Sequence, residues 1–186
     1  MKRLLLFVFI LSGCSQVPTL PPTPASQLEA WRLNARIAIS TEHDSWTATV
    51  YWQQKGAKYK LRLNSPMGQG AILLEGNANE VVMQTADKKT FKAKNPDTLI
   101  ADVLNLALPV SNLQYWIRGF PSPNSAPKGY TLNDAKRLYQ LRQDDWEIDY
   151  KHYININGTF LPKKMFLENN QFKIKIVISS WEIFKK

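Results

Sequence analysis

The chain is poor in the residues that carry chemistry. Among its 186 residues are one cysteine and two histidines, Cys14, His43 and His152. A lone cysteine excludes a disulfide scaffold, and these three residues cannot supply the Cys/His ligand set of a structural zinc site. The sequence also lacks a GxxxxGK[ST] phosphate loop, a dinucleotide-binding glycine fingerprint and an HExxH helix. His43 falls between Glu42 and Asp44 in an expected turn and His152 near a strand end, so both read as solvated, with no activated serine or cysteine beside them. Glu147 and Asp149 share the strand face opposite Trp146, Ile148 and Tyr150, which turns them outward. No enzyme, metal or cofactor is expected. Acidic residues are scarce as well, 15 Asp and Glu against 24 Lys and Arg, for a formal net charge of +9. Net charge acts on association rather than on fold, so the excess points to an anionic partner.

What is present is a globular composition, 44% hydrophobic and 21% charged, at a length that suits one domain. The longest apolar run, residues 4–11, is too short for the roughly 20 residues that span a bilayer. Preceded by Lys2 and Arg3 and followed by small residues, it reads as a secretory signal. Its end, Leu11-Ser12-Gly13-Cys14, resembles the bacterial lipobox. That resemblance implies cleavage before Cys14, diacylglycerol on its thiol and a further acyl chain, such as palmitate, on the new amino group. Cleavage removes Lys2 and Arg3 and leaves 22 basic against 15 acidic residues, a net of +7. Ser15, rather than an aspartate resembling an inner-membrane retention signal, follows the cysteine, so the expected location is the outer membrane, facing the periplasm. Pro18, Pro21, Pro22 and Pro24 then make an extended tether. The expected organisation is a signal peptide over 1–13, a lipidated cysteine and tether over 14–25, and a single domain over 26–186.

Ser26 and Glu29 are spaced as a capping box for a short helix. Beyond them, alternation dominates. Leu33, Ala35, Ile37 and Ile39 alternate with Arg32, Asn34, Arg36 and Ala38; Trp46, Ala48, Val50 and Trp52 with Thr47, Thr49, Tyr51 and Gln53; Tyr59, Leu61 and Leu63 with Lys58, Lys60 and Arg62. Such a period gives each strand one dry and one wet face. With turns at Lys55-Gly56 and at residues 76–79, it predicts strands near 32–41, 45–54, 57–64, 70–76, 79–86 and 89–94. Asn95-Pro96-Asp97 starts a helix in which Leu99, Ile100, Val103, Leu104 and Leu106 share a face up to Pro109. Ser111 is a candidate cap for a second short helix through Trp116 and Ile117 to Gly119. Strands near 130–133, 136–143, 145–154, 163–169 and 171–181 follow. The fold class is mainly β with α: an unclosed antiparallel barrel of about ten or eleven strands, with helices against its concave face.

Lys58, Lys60 and Arg62 occupy one strand face and Tyr59 the other, so basic and aromatic groups share no stacking platform for nucleic acid. The converging dry faces, rich in tryptophan, leave two readings open, a packed core or a cavity for an apolar ligand. Between two strands, Asn64-Ser65-Pro66-Met67-Gly68 places an adaptable hydrophobe at the tip of a turn.

Three stretches, Trp52-Gln53-Gln54, Leu63 to Gly68, and Gln114-Tyr115-Trp116-Ile117-Arg118-Gly119-Phe120-Pro121, resemble the LolB family in order and spacing along nearly the whole body. The resemblance implies an outer-membrane lipoprotein that accepts lipoproteins from a periplasmic LolA-like carrier and inserts them into the outer membrane. It also implies a half-barrel with a helical lid over an acyl-binding cavity. Met67, flanked by Pro66 and Gly68, would be the protruding membrane-insertion tip, where leucine is usual in the family; Ser65 stands where asparagine is common. Candidate cavity residues are Trp46, Val50, Trp52, Leu61, Leu63, Ile72, Leu74, Trp116, Ile117, Trp146 and Ile148. Expected partners are the carrier, acylated lipoprotein cargo and outer-membrane lipid, with no nucleic acid, the protein acting as a monomer. The other class in view is a structural or assembly lipoprotein of the envelope, with a filled core and a protein partner.

Overall fold

The computed structural model describes residues 23–64 and 70–184. The signal, Cys14, most of the tether and the loop tip at Pro66, Met67 and Gly68 lie outside the described residues. Eleven strands form one antiparallel sheet: β1 (Ala30–Ser40), β2 (Ser45–Lys55), β3 (Lys58–Asn64), β4 (Ala71–Gly76), β5 (Val81–Gln84), β6 (Thr90–Ala93), β7 (Pro127–Leu132), β8 (Leu138–Gln143), β9 (Trp146–Ile156), β10 (Thr159–Glu168) and β11 (Lys173–Ile183). Two helices, α1 (Pro96–Leu104) and α2 (Val110–Trp116), separate β6 from β7. The order across the sheet is β6-β5-β4-β3-β2-β1-β11-β10-β9-β8-β7. Two meanders are thus joined by pairing of the first strand with the last. The edge strands β6 and β7 do not pair with each other, so the barrel stays open.

The alternation read from the sequence sets the faces. Leu33, Ala35, Ile37 and Ile39 on β1 are buried, as are Ala48, Val50 and Trp52 on β2 and Ile174, Ile176 and Ile178 on β11. Trp46 departs from its row: near the start of β2, it is 36% exposed. Cross-strand register places Leu63, Val50 and Ala35 side by side, and Leu61, Trp52 and Leu33 in the row beside them.

Three local expectations are corrected. Residues 24–27 form a turn rather than a capped helix; the Ser26 hydroxyl donates to the Thr23 carbonyl and accepts from the Thr23 N–H, which spends it within the turn. The first helix starts as read, with Asn95 Oδ1 accepting from the N–H groups of Asp97 and Thr98 and Pro96 in its first turn, where a missing N–H is harmless. It ends at Leu104, however, because Asn105 adopts the left-handed region at φ 52°. Leu106, Leu108 and Val110 then alternate in burial with Asn105, Ala107 and Pro109, so Leu106 belongs to a link with period two, not to the helix face. Ser111 does not cap α2, whose N-cap position is Pro109 with no side-chain bond. Its N–H instead donates to Asp97 Oδ1 on α1 at 2.9 Å.

Past α2, Gly119 has φ 84°, and a Cβ there would come within 3.2 Å of the Tyr153 ring. Only glycine satisfies both the backbone angle and that close approach. Strand β10 begins before the expected boundary and contains Pro162, at a register shift against β9, an arrangement that frees proline from donating to the ladder.

Candidate functional site

The helices and the link between them lie over the centre of the concave face. Beneath them is a small cavity of about 30 Å3. Its floor is Ala35, Ile37, Val50, Trp52, Leu61, Leu63 and Ile176; its roof is Ile100, Leu108, Val110, Leu113 and Ile117. Every lining side chain is apolar. By size about two waters fit such a volume, but the walls offer them no hydrogen bond.

Of the residues nominated from the sequence, Val50, Trp52, Leu61, Leu63 and Ile117 meet at this cavity. The other six do not border it. Leu74 is fully buried on β4 between Leu61 and Met83, and Ile72 is half-buried opposite Leu63. Ile148 packs between Leu141 and Leu167 on neighbouring strands. Trp146 stacks on Phe172 at 6.5 Å and lies 6.4 Å from Trp116. The Trp116 indole Nε1 donates to Gln143 Oε1 at 2.7 Å, and its carbonyl accepts from the Tyr150 hydroxyl. These side chains tie α2 to the second meander.

Ala35, Ile37 and Ile176 were missed because a dry face does not reveal which of its strands is central. That follows from the pairing of β1 with β11 at the two ends of the described chain. The roof residues were legible as apolar but not as opposed to this part of the sheet.

Polar groups frame the site. Gln54, 5% exposed, accepts from Trp52 Nε1 and donates to the Gly56 carbonyl and, at 3.4 Å, to Gln114 Oε1 on α2. Arg118, 7% exposed, donates to the carbonyls of Gln114 and Leu28 and lies over the Phe120 ring at 4.6 Å. Burial lowers its pKa to about 10, so it stays charged at neutral pH. Two of the three motifs, around Trp52 and around Gln114 to Pro121, therefore meet where α2 is fastened to the sheet. Gln143, fully buried, was not singled out from the sequence. It accepts from Trp116 Nε1 and the Ser122 N–H and donates to the carbonyls of Ser122 and Ser125.

The histidines stand apart from this region: His43 is exposed in the β1–β2 turn and His152 is exposed on β9. Glu147 and Asp149 both accept from Gln140, and Asp149 also pairs with Lys151. Lys58, Lys60 and Arg62 lie on the exposed face of β3, where Lys60 pairs with Glu75. Among the described residues no cluster of three or more His, Cys, Asp or Glu could hold a metal, and no helix is long and apolar enough to cross a membrane.

An open antiparallel half-barrel with an apolar floor under a helical cover defines a structural class. Two solved structures share its fold. A DUF1329 family protein from Desulfovibrio piger matches with TM-score 0.57 at 9% identity, over 86% of this chain and 87% of that one. A LolA superfamily protein from Nitrosomonas europaea matches with TM-score 0.56 at 9% identity, over 86% and 88%.

At the sequence level, the model of the family described as outer membrane lipoprotein LolB matches residues 29–181. The outer-membrane lipoprotein LolB of Ectopseudomonas mendocina is 38% identical over 157 residues, 84% of this chain and 76% of its own length. That of Pseudomonas syringae pv. syringae is 36% identical over the same shares. The chain belongs to the LolB family of outer-membrane lipoproteins, lipid-anchored and facing the periplasm. Membership places it in lipoprotein trafficking at the outer membrane, in a family that is not one of enzymes.

Proposed function

We propose that the protein takes lipoproteins from a LolA-like periplasmic carrier by binding their acyl chains between the sheet and the α1–α2 cover, then inserts them into the outer membrane. The observation that carries this reading is the wholly apolar lining of the space between floor and roof. Aliphatic and aromatic walls are non-directional and tolerate chains of different length. Burying a sixteen-carbon chain contributes on the order of 12 kcal/mol at about 0.8 kcal/mol per methylene, so acylated cargo needs such a shelter to cross water. Ligand sites usually enclose about 300–1,000 Å3, far more than the present cavity; entry of a chain therefore requires the cover to lift from the floor. The sequence carries no nucleotide-binding motif. Transfer accordingly runs downhill, with chains held more tightly here than by the carrier and less tightly than by the bilayer.

In this reading Cys14 is the lipid attachment point, residues 14–25 are the tether, and Met67 between Pro66 and Gly68 is the element that enters the membrane. The test is transfer of a labelled lipoprotein from carrier to this protein and on to liposomes. Ala35→Leu adds bulk to the centre of the floor. It should lower cargo uptake at least tenfold; the three added carbons exceed the present cavity, so the melting temperature should fall while circular dichroism still reports the folded sheet, and unchanged uptake would count against acyl chains entering here.

A further inference from the structure

Beside the apolar cavity, and sharing Trp52 and Val110 with it, lies an open groove of about 790 Å3 whose character is the opposite. Its walls are the turns after β2 and β4 and the first turns of both helices. They carry the side-chain amides of Gln54, Asn77, Asn112, Gln114 and Asn124. Gln54 is buried and spends its amide on Trp52, Gly56 and Gln114, whereas Asn77, Asn112, Gln114 and Asn124 each keep hydrogen-bonding capacity beyond the bonds they make within the fold. The only charged side chains among the described residues lining it are Lys94 and Asp97, and the Asp97 carboxylate already accepts from the Ser111 N–H. Tyr59 also borders the groove, with its hydroxyl buried and without a hydrogen-bond partner.

We propose that this groove holds the stretch of cargo polypeptide that follows the acylated cysteine, bound through its main-chain peptide groups, while the acyl chains occupy the cavity next to it. The inference rests on the acyl-binding reading above. A ligand that spans both spaces must join long apolar chains to a neutral polar segment, which is the make-up of a lipoprotein N-terminus. Side-chain amides both donate and accept, as peptide groups do, so they can read a backbone whatever its side chains. A carrier of varied cargo needs that tolerance. A phosphate-bearing lipid headgroup would instead call for converging arginine or lysine, and Lys94 alone does not provide it. The boundary between the two spaces is marked by Trp52, whose ring faces the cavity while its indole N–H donates to Gln54.

The experiment uses the full lipidated chain in the transfer assay, with a benzophenone-bearing residue placed at Ala57 or Ala78. Both alanines are exposed on turns and line the groove, so neither replacement disturbs the core. A lipoprotein delivered by its carrier is then photo-cross-linked, and the adduct is mapped by mass spectrometry. Adducts concentrated on the first few residues after the cargo cysteine, and reduced at least tenfold when Ala35→Leu blocks chain entry, are expected. Normal transfer with no adduct, with adducts spread over the folded part of the cargo, or with adducts on phospholipid overturns the groove assignment and leaves acyl binding standing. Loss of cargo uptake by the unsubstituted protein overturns the acyl reading, and this inference falls with it.

Discussion

Asp97 shows how one residue serves two elements. It stands in the first turn of α1, yet its carboxylate accepts the Ser111 N–H at the start of α2. Burial raises its pKa above the ordinary 3.8, although the bond to Ser111 pulls the other way. The folded chain therefore holds this proton more tightly than the unfolded chain. The stability that the group contributes is full below pH 3.8 and is lost as pH rises through the raised value. Asp97→Asn keeps an acceptor for Ser111 without a charge to desolvate, so it should hold or raise the melting temperature at neutral pH and flatten its dependence on pH in the acid range. Asp97→Ala loses the acceptor and should cost about 1 kcal/mol, measured by urea unfolding. The sequence marked Asp97 only as part of a helix start. Its partner lies 14 residues away in a helix whose placement it could not state.

Among the elements, α2 is the one held from most sides. Its C-terminal residue Trp116 is gripped by Gln143 and Tyr150 on the second meander, and Arg118 just beyond it reaches back to the Leu28 carbonyl before β1. The Gln54–Gln114 contact on its flank, at 3.4 Å, is the longest side-chain bond in this set. Near the start of the helix, Asn112 Nδ2 donates to Asp144 Oδ2 at 2.7 Å, so α2 is fastened to the second meander at both ends and more loosely to β2 through Gln54. Gln143→Leu strands two donors and two carbonyls in the interior. At about 1–3 kcal/mol for each buried polar group left unpaired, it should destabilise the fold by about 3 kcal/mol or more by urea titration. It should also speed amide exchange across residues 116–126 more than in β1 or β2. Exchange that rises equally everywhere would argue against a local fastening. Here too the helices were legible from apolar spacing and capping residues, whereas Ser111 misled: a serine caps only where its own backbone is still non-helical, and Ser111 already lies inside α2, which begins at Val110 with Pro109 in the cap position.

At the scale of the molecule, the proposed function assigns binding of cargo and its delivery to different parts of the chain. The cavity lies mid-sheet, while Met67 belongs to the connection between β3 and β4. Met67→Glu should leave folding and cargo uptake unchanged and slow insertion into liposomes about tenfold, because a charge at the tip resists entry into hydrocarbon. Insertion at the normal rate would remove the loop from the mechanism. Much of this whole was already fixed by local pattern. Period-two alternation determined the strands and their dry faces, and Asn95-Pro96 determined where the first helix starts. Each of these depends on near neighbours in the chain, which a sequence displays directly. The tertiary structure decided what depends on distant neighbours. Pairing of β1 with β11 made Ala35, Ile37 and Ile176 the centre of the floor, while Trp46 near the start of β2 is exposed and Trp116 and Trp146 belong to the packing of the second meander. Alternation says that a side chain points inward; only the strand order across the sheet says what it meets there.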